Sequence, residues 1–190
     1  MILPEEHLIL QNTAFLLRSP LTSEGAGLAR HQYITSAETY FMARYPEEVV
    51  TDPVLVARRI ARVNESDREF TLSAYLDGEM VANLQVSKIG EHIKFRHRAA
   101  MGISIQGKCR GLGLGTAMIG RAIRQTRANG FEQLELGVFE DNQAAMSMKS
   151  WAFSPWASPP GPSSSKTAAT ETRYRWSCFS FDFPNREASP

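Results

Sequence analysis

Between a β-rich run and a helix-forming run lies Gln106-Gly107-Lys108-Cys109-Arg110-Gly111-Leu112-Gly113-Leu114-Gly115-Thr116. Glycines at alternate positions let the backbone turn without Cβ clashes and come close to a ligand. The helix that follows opens with N–H groups that have no intrahelical partner. Its dipole adds positive potential at the same end, and Lys108 and Arg110 place formal charge alongside. Such a turn suits an anion, a phosphate or pyrophosphate above all. The spacing Gly111-x-Gly113-x-Gly115 departs from the dinucleotide pattern G-x-G-x-x-G. No Gly-Lys-Ser/Thr follows, so it is not a P-loop. A nucleotide-phosphate site of another kind, or a glycine-rich connection that binds nothing, are the alternatives.

The flanking patterns set the fold class. Residues 13–18 form a short apolar run ended by Ser19-Pro20, which predicts a strand. Thr22 or Ser23 caps a predicted helix to about Ala43, with Leu28, His31, Ile34 and Phe41 near one stripe. Asp52-Pro53 starts a second helix that runs to about Asn64. Residues 69–76 and 79–89 are β-rich, and Asp77-Gly78 between them is a strong hairpin signal. Residues 95–106 predict a further strand, and residues 116–129 a helix stopped by Gly130. Leu134, Leu136 and Val138 alternate along a strand over 133–139, and Asp141 or Asn142 caps a short helix through Met148. The order β, α, α, β, β, β, α, β, α predicts an α/β (α+β) protein. Its sheet is mixed and mostly antiparallel, flanked by helices, rather than doubly wound.

Composition narrows the function classes. The 190 residues suit one compact domain, and 43% hydrophobic content is too high for a disordered chain. Lys+Arg 21 against Asp+Glu 20 gives +1, which leaves no footprint for nucleic acid or anionic membrane. The 2 cysteines, Cys109 and Cys178, exclude a disulfide framework and a four-thiolate zinc site. His7, His31, His92 and His97 lack ligand spacing, so no metal is expected. No apolar run approaches the ~20 residues of a membrane span. The N-terminus has Pro4, Glu5 and Glu6 where a signal peptide has basic residues. A cytoplasmic protein is expected, monomer or homodimer, without nucleic acid or membrane partners.

Arg110-Gly111-Leu112-Gly113-Leu114-Gly115 resembles the Arg/Gln-x-x-Gly-x-Gly/Ala signature of the Gcn5-related N-acetyltransferases, the GNAT superfamily. Asn142-Gln143-Ala144-Ala145-Met146 looks like that family's Asn-x-x-Ala-hydrophobic helix start. The resemblance covers about residues 13–148 and is specific over 101–146. It implies acyl transfer from acetyl-CoA to a primary amine of a small molecule or peptide. The backbone amides of Cys109, Arg110, Gly111, Leu112, Gly113, Leu114, Gly115 and Thr116 would hold the CoA pyrophosphate. The exposed edge of Ile103, Ser104 and Ile105 would pair with the pantetheine, and a backbone N–H there would polarise the thioester carbonyl. Asn142 would bond the pantetheine arm or acyl end, besides serving as a helix cap.

The catalytic acid and base are not identified. Glu135 and Glu140 are the carboxylates nominated as general base. Arg121, Arg124 and Arg127 form a basic stripe read as a solvated face, with Arg121 able to seek a CoA phosphate. Cys109 sits beside Lys108 and Arg110, a setting that lowers a thiol pKa, and is given no catalytic role.

The chain changes character after residue 149. All 3 tryptophans lie there, with Pro155, Pro159, Pro160, Pro162, Pro184 and Pro190. The family places a Tyr, its general acid, where Lys149 stands, then Leu-Gly-Phe where Ser150-Trp151-Ala152-Phe153 stands. Trp is only TGG and Ala is GCN, so reading from the third base makes Trp151-Ala152 a Gly. Ser150-Trp151 then permits Leu, and Ala152-Phe153 permits Phe. The tail looks frameshifted after about residue 149. The expectation is a GNAT-like acetyl-CoA-binding domain over residues 10–149. Residues 150–190 would be an aberrant Ser/Pro-rich tail, poorly ordered, with the last strands lost or disordered. A catalytically impaired acyl-CoA-binding protein lacking a complete acceptor site is the alternative function.

Overall fold

The computed structural model describes residues 1–139, 141–142, 153–157, 163–164, 173–174 and 176–183. The chain opens with a hairpin, β1 (Glu6–Leu10) and β2 (Thr13–Arg18), joined by Gln11 and Asn12, both at positive φ. Two helices follow, α1 (Gly25–Glu38) and α2 (Pro53–Glu65). Next come β3 (Phe70–Leu76), β4 (Glu79–Lys88), β5 (Arg98–Ile105), α3 (Leu114–Ala128) and β6 (Gln133–Phe139). Beyond residue 150 lie β7 (Ser154–Ala157), β8 (Ser163–Ser164), β9 (Arg173–Tyr174) and β10 (Trp176–Asp182).

Eight strands form one sheet in the order β1-β2-β3-β4-β5-β6-β10-β7, and β8 and β9 make a separate ribbon. Every described pair in the large sheet is antiparallel except β5 with β6. The expected mixed, mostly antiparallel sheet is therefore the one found. The β3–β4 turn is the expected one, with Asp77 at φ 50° and Gly78 at φ 80°, the left-handed pair that matches strand twist. Asp52 caps α2 by accepting from the Val54 amide at 2.8 Å, with Pro53 at the first helical position. Val56, Ile60 and Val63 then face inward at helical spacing. At Gly25 an added Cβ would lie 2.3 Å from the Pro53 carbonyl oxygen, so glycine is what lets α1 and α2 approach so closely.

The helix α1 stops at Glu38 rather than near Ala43. Thr39 turns extended (φ −162°, ψ 146°). The next two residues are drawn elsewhere: Tyr40 donates to Asp141 Oδ2 at 2.6 Å, and Phe41 stands 6.2 Å from Phe139. Tertiary contacts thus override the helical stripe. The short helix expected through Met148 lies outside the described residues.

The core lies mainly between the sheet and α3. Leu72, Leu84, Leu114, Met118 and Leu134 are wholly buried there, each stabilising the fold by roughly 1.5–3 kcal/mol. Two expectations are corrected. The residues before position 10 contribute a strand, and Leu3 is buried. The last strands are not lost. The seven residues of β10 pair with β6 from Trp176↔Phe139 to Asp182↔Gln133. Phe179, Phe181 and Phe183 alternate along this segment, and Phe179 and Phe183 join the main core. That period of two is a strand signal that the Pro/Ser-rich stretch before it obscures.

Candidate active site

A single strand connects two half-sites. Its last residue, Ile105, leads into the glycine loop. A 3-10 turn over Gly107–Cys109 comes first. It draws the Cys109 amide to the Gln106 carbonyl (2.9 Å) and the Arg110 amide to the Gly107 carbonyl (3.1 Å). Those two amides, expected in the anion cradle, are therefore used internally. Gly111 (φ 77°) and Gly113 (φ 87°) then turn the chain through the left-handed region into α3. Ala117 makes the first intrahelical bond, to Gly113 at 3.1 Å. The amides from Gly111 to Thr116 have no backbone acceptor among the described residues. Of the amides expected to hold an anion, those of 111–116 are thus the ones not used by the backbone.

The cations beside the loop are also committed. Arg110 donates from Nε to the Ile105 carbonyl (2.9 Å) and from Nη2 to Glu38 Oε2 (2.8 Å). Lys108 pairs with Glu79 at 2.6 Å, and that bond holds the Glu79 carboxyl below its ordinary range. The positive potential left at this loop is that of its amides and the helix dipole. Arg121 is spoken for by the Pro4 carbonyl at 2.6 Å and Glu6 at 2.9 Å, and does not form part of a free basic face. Cys109 is buried, and burial raises its thiol pKa against the lowering effect of Lys108. The expected activation is reversed.

The second half-site opens where β5 leaves β6. Their parallel pairing runs only from Arg98↔Gln133 to Ala100↔Glu135. Beyond it the strands part, and a cavity of about 280 Å³ lies over Gly102, Ile103 and Ser104 on one side and Leu136, Gly137 and Val138 on the other. Gln32 and Ser36 of α1, then Phe41, Met42 and Arg44 of the following segment, cover it. Asn83 and Gln85 of β4 form its floor, and Asn142 reaches it from beyond β6. Sheet register aligns the floor: Ser73 opposes Asn83, and Asn83 opposes Ser104. Ser73 donates to Asn83 Oδ1 at 3.0 Å. The cavity is thus a mostly apolar cleft with polar side chains on its floor and roof, and the strand that lines it runs straight to the glycine loop.

The acetyltransferase (GNAT) family profile matches residues 30–149. The chain belongs to the GNAT acetyltransferase family. Its GNAT fold superposes on a GNAT acetyltransferase from Streptococcus pneumoniae with TM-score 0.80 at 21% identity, covering 90% of this chain and 99% of that one. The ribosomal-protein-alanine N-acetyltransferase of Brucella melitensis gives 0.75 at 17% identity, covering 88% and 99%. YncA from Salmonella typhimurium, solved with its cofactor acetyl-CoA, gives 0.73 at 15%, covering 92% and 96%. No curated protein matches the sequence significantly.

Within this GNAT framework the nominated carboxylates fall differently. Glu135 accepts from Arg98 Nε at 2.5 Å and does not line the cleft. An ion pair at the parallel end of β5 and β6 occupies it, so the geometry does not offer it as a base. Glu140 lies outside the described residues. The residues missed from sequence are those of the cleft floor and roof: Asn83, Gln85, Gln32, Ser36 and Arg44. The signal at hand was His31, a histidine inside an apolar helical stripe. Its ring is wholly buried and its Nε2 lies 2.8 Å from Ser104 Oγ. Burial lowers its pKa to about 4, so the ring is neutral near pH 7.

Proposed function

We propose that this chain transfers an acetyl group from acetyl-CoA to a primary amine of a small molecule or peptide. The observation that carries the reading is the parting of β5 from β6 directly upstream of the amide cradle. One strand then serves both reactants. The amides of Gly111–Thr116 hold the diphosphate, as unpaired helix-start N–H groups do for anions. The backbone edge of Ile103–Ile105 that faces the parted β6 pairs with the pantetheine arm, and Asn142 at the cleft bonds the arm or its acyl end. YncA, with its bound acetyl-CoA, and the alanine N-acetyltransferase of Brucella melitensis support this choice of donor and acceptor.

The amine enters the cleft as the free base. Its nitrogen lone pair forms the C–N bond to the thioester carbonyl carbon, and the C–S bond breaks. The amine gives up one proton, and the departing thiolate takes up one. A backbone N–H near Ile103–Ile105 stabilises the oxyanion between these events. Fixing both reactants on one strand supplies much of the rate by proximity.

Calorimetric titration with acetyl-CoA, followed by a thiol-release assay over a panel of primary amines, tests the reading. Binding with amine-dependent CoA release is expected. Binding with no release for any amine would favour an impaired acyl-CoA-binding protein. Thermal stabilisation by ATP or NAD with none by acetyl-CoA would overturn the assignment.

A further inference from the structure

We propose that the Ser104 hydroxyl, fixed from beneath by the His31 ring, is a substrate-contacting group of the cleft that accepts an N–H of the incoming amine. The proposal rests on the acetyl-transfer reading and adds a residue to it. Ser104 lines the cavity beside Gly102 and Ile103, on the strand edge where the acetyl group would lie. Its side chain leaves β5 toward α1, where it meets His31 Nε2 at 2.8 Å. A serine hydroxyl has one donor hydrogen and two acceptor lone pairs. The neutral ring engages one of these functions. With either tautomer, at least one Ser104 lone pair remains for the cleft.

The ring itself cannot reach substrate. His31 is 0% exposed, and the Met80 and Ser104 backbones also bear on its ring. Its Nε2, 2.8 Å from the Ser104 oxygen, is the ring atom placed to orient Ser104. Asn83, opposite Ser104 in register, has its Oδ1 taken by Ser73. Its amide nitrogen is a donor, so the floor presents a donor at Asn83 and an acceptor at Ser104. His31 is a positioning residue in this scheme, acting through Ser104.

The probes are butylamine, L-alanine and trialanine, with acetyl-CoA saturating. Ser104→Ala is expected to lower kcat/KM for the responsive amine about tenfold, mostly through KM, and Ser104→Thr to restore it. The affinity for acetyl-CoA by calorimetry stays within about twofold of the parent. His31→Leu lowers kcat/KM in the parent and has no further effect in the Ser104→Ala background. His31→Gln, which keeps a polar atom near the Nε2 position, retains activity. Titrating the CoA-saturated protein with the same amines is expected to shift the His31 ring NMR signals, a readout that needs no turnover. The proposal is overturned if Ser104→Ala matches the parent, if it loses acetyl-CoA affinity in step with amine affinity, or if no amine moves the His31 signals. If the parent binds no acetyl-CoA at all, the acetyl-transfer reading and this proposal fail together.

Discussion

Glu38 closes α1 by accepting two hydrogen bonds from the glycine loop: the Gly107 amide at 2.7 Å and Arg110 Nη2 at 2.8 Å. The residue that ends the cleft's roof helix is thereby tied to the loop that leads into the amide cradle. Thr39 turns away immediately afterwards to begin the segment that covers the cleft.

Glu38→Ala separates two effects of opposite sign. Removing an anion beside the cradle favours a diphosphate, whereas releasing Gly107 and Arg110 loosens the loop. We expect loop order to dominate, with acetyl-CoA affinity falling about fivefold because bound loops pay for their ordering. Stability changes by about 1 kcal/mol or less, since the pair is partly exposed. Calorimetry and thermal denaturation read the two quantities separately, and a gain in affinity would show that charge dominates.

Gly113 and Gly115 make different demands. Gly113 sits at φ 87°, where an L side chain is strained by about 1–2 kcal/mol. At Gly115 a Cβ would stand 3.1 Å from Ile105 Cδ1, the tip of a flexible side chain, and φ is unremarkable. Gly113→Ala is expected to weaken acetyl-CoA binding about tenfold, and Gly115→Ala about twofold or less. Equal losses in the two variants would remove backbone conformation as the reason for Gly113.

The buried His31 makes stability depend on acidity. The folded protein keeps the ring neutral down to about pH 4, while the unfolded chain takes up the proton near 6.5. The unfolded chain therefore binds more protons between those values, and the fold loses stability as pH falls through them. The full loss is on the order of 3 kcal/mol. Urea unfolding at a series of pH values measures it. His31→Gln should flatten the curve over that interval, leaving the steeper fall of the carboxylates below it.

Phe179 tests whether the C-terminal segment belongs to the fold. It pairs with Leu136 across β6 and β10 and is 3% exposed. Phe179→Ala is expected to cost about 3–5 kcal/mol, read as a lowered midpoint in chemical denaturation. A change near zero would mean that β10 contributes no packing. The nucleotide sequence addresses the altered reading frame directly: stop codons in the shifted frame before the codon of Phe179 would end that account.

The parts of the molecule governed by local rules were readable from the chain. Asp77-Gly78 specified its hairpin, Asp52-Pro53 its helix start, and Gly111 and Gly113 their left-handed turn, because each depends on backbone chemistry within a few residues. The cleft was not readable in that way. Ser73 and Asn83 meet across the β3–β4 hairpin, but Ser104 joins them only through strand register, and His31 joins from a helix on the sheet's face. Nothing in the sequence indicates that Glu38 and Glu79 fold back onto Arg110 and Lys108. The stop of α1 at Glu38 is unmarked in the sequence for the same reason, since Phe41 follows a partner at the end of β6 and Tyr40 one just beyond it.

The floor described by Ser73, Asn83 and Ser104 has an evolutionary corollary. Leu84 and Val86, with Met101 and Ile105, leave β4 and β5 toward the oily layer, while Asn83, Gln85, Gly102 and Ser104 leave the same strands the other way. Changes at these alternate positions leave the apolar layer on the opposite face untouched. New acceptor preferences are within reach of a library confined to those four codons, and drift there leaves the architecture recognisable.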